Sequence, residues 1–311
     1  MSRAYQDDIF VARRSASSRG KRWWSRSAQS RPVNADLPVE SRISAERQEK
    51  LARVASARES IHAVFQPIVD LRTGDAVGVE ALARFETEPP RSPDLWFAEA
   101  AEVGLGTEVE LAALRVALER LPRLPSGLYM SLNASPATMM SREFHLVLAE
   151  TAGERIVIEV TEQSVIDDYA RFADSIADLR SNGVRLAVDD AGAGISSFLN
   201  IANFQPDIIK LDVALTRGID ADPTRQAVGS ALLTFGLNAF NAGLIAEGIE
   251  TEGELATLRA LGFPFGQGYR LGAPASVPQA PLPILGPEDD ETEIDNGHHH
   301  LYSEAETSVP S

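Results

Sequence analysis

Residues 63–85 read AVFQPIVDLRTGDAVGVEALARF. Two apolar runs, AVFQPIVDL and VGVEALARF, each suit a buried strand, and only RTGDA (72–76) lies between them. A parallel neighbour needs a crossover of about a dozen residues or more. So short a link makes this first pair antiparallel if the two strands are neighbours. Beyond Phe85 the pattern changes. Short apolar runs recur as LYMSLN (128–133), RIVIEVTE (155–162), VRLAVDD (184–190), DIIKLD (207–212), LIAEGIE (244–250) and FGQGY (265–269). Helical patterns fall over 94–103, 107–121, 138–150, 165–181, 223–241 and 252–261, with one more over 45–60 leading in. Strand–helix alternation means a parallel sheet with helical crossovers. Eight strands over residues 45–282 suit a closed barrel. The expected fold is α/β: a modified TIM (β/α)8 barrel with an antiparallel first strand.

These strands share a second property. Glu80, Asn133, Glu159, the pair Asp189-Asp190, Lys210, Glu247 and Gln267 stand at or near their carboxyl ends. An apolar strand is built to be buried, and a charge at its end is costly unless paired or bound to a metal. Any one of these acids could cap the following helix. A series on one side of consecutive strands describes a ring of oxygen ligands at a barrel mouth, where such folds keep their active sites. His62 falls at a strand start and His145 on a helix, so no histidine joins the ring. All-oxygen ligation selects Mg²⁺ or Mn²⁺ over zinc. Two adjacent aspartates can bridge two ions, which then clamp the attacking and leaving oxygens of a phosphoryl displacement. Lys210 has three readings: salt-bridge partner, Schiff-base nucleophile, or positioner of an activated water. Surrounding carboxylates raise a lysine's pKa, which removes the second and leaves the other two open.

Composition bounds the partners. The net charge of −16 excludes a general binder of duplex nucleic acid, which shows a basic face. An anionic substrate would need bound cations to reverse the local field. The chain has no cysteine, so disulfides and thiolate metal sites are excluded. Residues 1–44 form a Ser/Arg-rich basic tail and 283–311 an acidic one, and both are expected to be disordered. Trp23-Trp24 among basic residues offers a membrane or partner anchor, but a solvated tail is the preferred reading. His298-His299-His300 is read as incidental. No apolar run spans a membrane and no secretory signal opens the chain, so a cytoplasmic setting is expected. Asn133-Ala134-Ser135 matches a glycosylation acceptor only by letter. Gly192-Ala193-Gly194 lacks the third glycine and spacing of a dinucleotide loop.

Taken in order, the segments FQPIVDL, EALARF, SLNASP, IEVTE, VDDAGAG, IIKLD, AEGIET and GQGY resemble the EAL family of cyclic di-GMP phosphodiesterases over residues about 60–275. The resemblance implies hydrolysis of one phosphodiester of cyclic di-GMP to linear pGpG. It implies that Glu80, Asn133, Glu159 and Asp189 hold one Mg²⁺ or Mn²⁺. Asp189 and Asp190 bridge to a second ion, with Glu247 counted among the ligands. It gives catalytic roles to Glu80 and to Lys210 and Glu247, which position and deprotonate the attacking water. Gln66, Arg84, Asn133, Gln267 and Tyr269 contact the dinucleotide, while Glu162 and Glu250 support the loops. A homodimer is implied too.

The departure lies after the paired aspartates. Where the family's common form is DDFG-T-G-Y, this chain has Ala191, Ala193 and Ile195 in place of Phe, Thr and Tyr. In the family this loop links metal binding to dimerisation, so the change bears on regulation more than on catalysis. Two alternatives compete with an active phosphodiesterase. One is a catalytically weak or inactive member acting as a cyclic di-GMP receptor or protein-interaction module, although no ligand position and no lysine is lost. The other is an enolase-like Mg²⁺ barrel abstracting a carbon proton with Lys210, which gives Gln66, Arg84 and Gln267 no common role.

Overall fold

The link RTGDA makes a tight turn. The Asp70 carboxylate accepts hydrogen bonds from the backbone N–H of Arg72 (2.8 Å) and Thr73 (3.2 Å), and Gly74 takes φ +81°. This turn joins β1 (Ile61–Asp70) to β2 (Ala76–Phe85) in the expected antiparallel pair. The remaining strands of the computed structural model are β3 (Tyr129–Asn133), β4 (Ile156–Thr161), β5 (Arg185–Ala191), β6 (Ile208–Leu211), β7 (Gly243–Ala246) and β8 (Phe265–Gly266). They close into a barrel in chain order. β1 is antiparallel to both β2 and β8, and every other pair is parallel. The structure describes residues 47–49, 51–52, 60–86, 91–161, 164, 166, 168–192 and 197–276, with backbone alone for 197–200. Both predicted tails, Trp23-Trp24, the three tandem histidines, Glu162, Ala193 and Ile195 lie outside them.

Strand periodicity sorts the core into two layers. Val79, Met130, Ile158, Val188, Ile209 and Leu244 face outward into the main core beneath the helices. Ile68, Val157, Ala187, Ile208 and Ile245 fill the barrel interior. A third cluster, with Phe85 stacked on Trp96 at 5.5 Å, joins the helix Pro93–Glu102 to the outer ends of β1 and β2.

Several helix and strand boundaries differ from expectation. The pattern over 138–150 is two short helices, Pro136–Met139 and Arg142–Leu148, because Ser141 interrupts it and caps the second through Phe144 N–H. The pattern over 165–181 forms a helix only from Tyr169, where Asp168 caps it. Two helices had no counterpart in the sequence reading, Ser197–Phe204 and Val213–Thr216. Glu80 does not end its strand. It lies within the stretch of β2 paired with β3, which runs to Ala81, while residues to Phe85 continue along β1 alone. Among the described residues no helix is long and apolar enough to cross a membrane.

The loops after β7 and β8 meet at Gly268. Its φ is +152°, and a Cβ there would lie 2.2 Å from both the N and O of Ile249. Backbone cannot yield as a side chain can, so Gly268→Ala should lower stability by about 1–3 kcal/mol or more, measured by urea unfolding. An unchanged midpoint would show that the two loops separate freely.

Candidate active site

The residues flanking Glu80 are Val79 and Ala81, both in the outer core. Leu132, Ile158, Val160, Val188, Ile209, Leu211 and Ala246 belong to the same layer. The alternate positions therefore turn Glu80, Ser131, Asn133, Glu159, Asp189, Lys210 and Glu247 inward, toward one mouth. Register stacks them: Glu80 lies opposite Ser131, and Asn133 opposite Glu159. Regular alternation would send Asp189 and Asp190 to opposite faces. The β5–β6 register is irregular between Val188 and Ala191, and Asp190 takes φ +56°. One oxygen each of Asp189, Asp190 and Glu247 consequently lies within 4.8 Å of the others.

Lys210 is the centre. Its Nζ lies 2.6 Å from Glu247 Oε1, 2.8 Å from Glu159 Oε2, 3.3 Å from Asp189 Oδ1 and 3.4 Å from Glu80 Oε2. The residue is 0 % exposed. Amides and a hydroxyl complete the network. Asn133 Nδ2 donates to Glu80 Oε1 (3.0 Å), Gln267 Nε2 to Glu80 Oε2 (2.7 Å), and the Ser131 hydroxyl to Glu159 Oε1.

Burial opposes every charge in this cluster, and neighbours decide which survive. Burial would lower the Lys210 ammonium, but Asp189, Glu159, Glu247 and Glu80 together raise it well above the ordinary lysine range. Burial would raise Glu80, but Lys210 and the bonds from Gln267 and Asn133 hold it below its ordinary value. Glu159 is pushed well up by burial, with Glu80 and Asp189 adding to it against Lys210. Burial also lifts Glu247 to about 8, and Asp190 to about 6 with help from Asp189 and Asp212.

That donor set fits a hard divalent cation. It is all oxygen, it converges, and it carries more carboxylates than its single ammonium balances. A cleft of about 630 Å³ opens over it, lined by Glu80, Asn133, Glu159, Asp189 and Asp190 on the floor and by Arg84, Asp94, Phe97 and Glu110 on the wall.

Most of the residues singled out from sequence meet here: Gln66, Glu80, Asn133, Glu159, Asp189, Asp190, Lys210, Glu247 and Gln267. Arg84 is on the cleft wall, where its Nη1 donates to the Ala83 carbonyl (2.8 Å). Tyr269 is 67 % exposed. Glu250 stands on the rim, where its carboxylate pairs with Arg217. Three participants went unread. Ser131 sits two positions before Asn133, on the same strand face. Asp212 lies beside Asp190 and caps the helix Val213–Thr216. Glu254 accepts backbone N–H bonds from Gly218 (2.8 Å), Glu250 (2.9 Å) and Thr251 (3.0 Å), tying the loops after β6 and β7 together. The spacing Thr251-x-x-Glu254 is the capping-box signal that could have disclosed it.

Comparison with known proteins gives one family. The model described as the EAL domain matches residues 49–274. A cyclic di-GMP phosphodiesterase of Pseudomonas aeruginosa is 31 % identical over 240 residues, covering 72 % of this chain and 40 % of that protein. The Klebsiella pneumoniae protein BlrP1, solved with manganese and cyclic di-GMP, is 29 % identical with a TM-score of 0.61, covering 70 % of this chain and 56 % of that one. The phosphodiesterase PaMucR, solved with cyclic di-GMP, shares the fold at 24 % identity and a TM-score of 0.65, covering 74 % of this chain and 98 % of that one. The chain thus spans well under two thirds of the length of the curated relative.

Raised carboxyls make cation binding pH-dependent. Asp190 and Glu247 hold protons below about 6 and about 8, and a bound cation needs them ionised. Mn²⁺ affinity should therefore rise between pH 6 and pH 8.5, by about tenfold per pH unit for each proton displaced, and level off above. Calorimetry in two buffers of different ionisation enthalpy measures both the affinity and the released protons. A flat profile would remove these carboxylates from the ligand set.

Proposed function

The chain belongs to the EAL-domain family, and on that premise we propose that it hydrolyses one phosphodiester of cyclic di-GMP to linear pGpG, using two Mg²⁺ or Mn²⁺ ions. The observation that supports this most is the cluster around Lys210, in which Glu80, Glu159, Asp189 and Glu247 surround the ammonium while Asn133 and Gln267 bond to Glu80. Glu80, Asn133, Glu159 and Asp189 would hold one ion, and Asp189, Asp190 and Glu247 the other. When bound, such ions neutralise phosphoryl charge and favour ionisation of water.

The protein's own groups do the rest. Arg84 suits a phosphate oxygen by its forked donors. Water attacks phosphorus, a new P–O bond forms, and the P–O3′ bond breaks, leaving the phosphate on the 5′ side. Glu247, ionised once cations are bound, would take the water's proton beside the Lys210 ammonium (2.6 Å). Lys210 cannot be that base, because its neighbours keep it charged. Its fixed ammonium orients the water, and the leaving O3′ takes its proton from solvent water. Gln267 holds Glu80, and Gln66 holds Gln267. We extend the proposal to a homodimer and to a cytoplasmic setting, with the two tails flanking a barrel over 45–282.

Charge argues against a metal-free receptor. Cyclic di-GMP carries two negative charges, and the cleft presents Glu80, Asp94, Glu110, Glu159, Asp189 and Asp190 against Arg84. Such a surface repels the ligand until cations are bound.

Turnover should therefore need Mg²⁺ or Mn²⁺ and stop in EDTA, and calorimetric binding of cyclic di-GMP should appear with Ca²⁺ but not with EDTA. Tight binding in EDTA would favour the receptor. Glu80→Ala should abolish hydrolysis. Lys210→Ala should lower kcat by about a thousandfold while leaving binding measurable. It should also cost about 3–5 kcal/mol of stability, because it strands buried carboxylates. A variant at Lys210 with native turnover would reduce that residue to a structural role.

A further inference from the structure

Glu159 is the most deeply buried carboxylate at the mouth, at 1 % exposed, and both its oxygens are held. Lys210 Nζ, from β6, donates to Oε2 (2.8 Å), and the Ser131 hydroxyl, from β3, donates to Oε1. Ser131 is level with Glu80 on one side and with Val157 on the other, two residues short of Glu159 along β4. It therefore meets the carboxylate from the barrel interior, and it is not part of the cleft lining. Val157, Ala187 and Ile208 make the interior beneath it apolar. A hydroxyl buried there is unfavourable unless it is bonded, and alanine would fill the same space without that demand. Ser131 meets the demand by donating to Glu159.

We infer that Ser131 is a positioning residue for the cation site: its hydroxyl presets the orientation in which the Glu159 carboxylate meets a divalent cation. This rests on the reading of Glu159 as a ligand in the proposed phosphodiesterase. The terminal torsion of a glutamate is broad, so a single bond leaves the carboxylate free to swing. Bonds to both oxygens from two different strands fix its plane. Each oxygen has two lone pairs and each of these donors uses one, so Glu159 keeps acceptor capacity for a cation. Glu80 is held in the same manner, with Asn133 on Oε1 and Gln267 on Oε2. Hydrogen bonds behind a ligating carboxylate set its direction, and losing one weakens metal binding by about tenfold to a hundredfold. Ser131 itself reaches neither cation nor substrate; its effect passes through Glu159.

The test measures Mn²⁺ binding by calorimetry on the substrate-free protein and cyclic di-GMP hydrolysis across a Mn²⁺ series, both at one fixed pH. Ser131→Ala removes a single oxygen and fits the same space. Ser175→Ala is the control, because Ser175 is also buried, at 5 % exposed, and donates to the Met139 carbonyl (2.7 Å) between two outer helices. Urea unfolding checks that both variants are folded. Ser131→Ala should bind Mn²⁺ about tenfold to a hundredfold more weakly than the native protein. Ser175→Ala should stay within about twofold of it. Saturating Mn²⁺ should return the Ser131→Ala kcat to within about threefold of native, since no reacting group has changed. Unchanged Mn²⁺ affinity in Ser131→Ala overturns the inference and leaves the hydroxyl a satisfied core group. An equal loss of affinity in Ser175→Ala overturns it too, and so does a Ser131→Ala kcat that saturating Mn²⁺ fails to restore. A native protein that binds no Mn²⁺ and hydrolyses no cyclic di-GMP overturns the underlying reading instead.

Discussion

A single ammonium, that of Lys210, sits fully buried among four carboxylates from β2, β4, β5 and β7. Apolar strands could close a barrel without it. What they could not do is bring Glu80, Glu159, Asp189 and Glu247 together, because like charges in a dry interior repel strongly. The lysine makes their convergence tolerable, and the convergence makes the mouth a site for cations. Removing one partner of such a cluster is far more damaging than replacing the whole by apolar residues. The cluster is thus better explained by chemistry than by stability.

The reversed first strand supplies what the parallel strands cannot. In antiparallel register Gln66 falls opposite Glu80, and its amide oxygen accepts from Gln267, which in turn bonds the Glu80 carboxylate. β8, which pairs with β1 and β7, adds Gln267 just beyond its end and closes the chain of donors onto Glu80. Barrel closure is therefore also the closing of a polar network. Glu254 does similar work farther out, where one carboxylate gathers N–H groups from two loops.

Burial drives Glu159 and Glu247 upward, so cations bound among these carboxylates would compete with protons. On the proposed reading this reconciles an acidic chain with an anionic ligand: the carboxylates that oppose a dinucleotide are the ones that would attract the ions. The Klebsiella relative, solved with manganese and cyclic di-GMP, pairs that ligand with that class of ion on the same fold.

Much of this was legible in the sequence, for local reasons. A five-residue link dictated the antiparallel pair, and apolar runs ending in acids and amides announced both the strands and the mouth. Helix ends were less legible, since Ser141 splits one pattern and Asp168 delays another through single hydrogen bonds. Ser197–Phe204 followed a glycine-rich stretch that concealed it. Glu80 looked terminal because its place near the end of one pairing and in the middle of another exists only between strands. By itself the sequence determined which residue types face the mouth, because strand period and chain order are properties of the chain. Only the tertiary structure decided that both Asp189 and Asp190 point there, that Lys210 touches four acids at once, and that Gln267 keeps one oxygen free. Those facts depend on a register irregularity, on closure of the barrel and on contacts between residues up to 201 positions apart, and no local pattern encodes them.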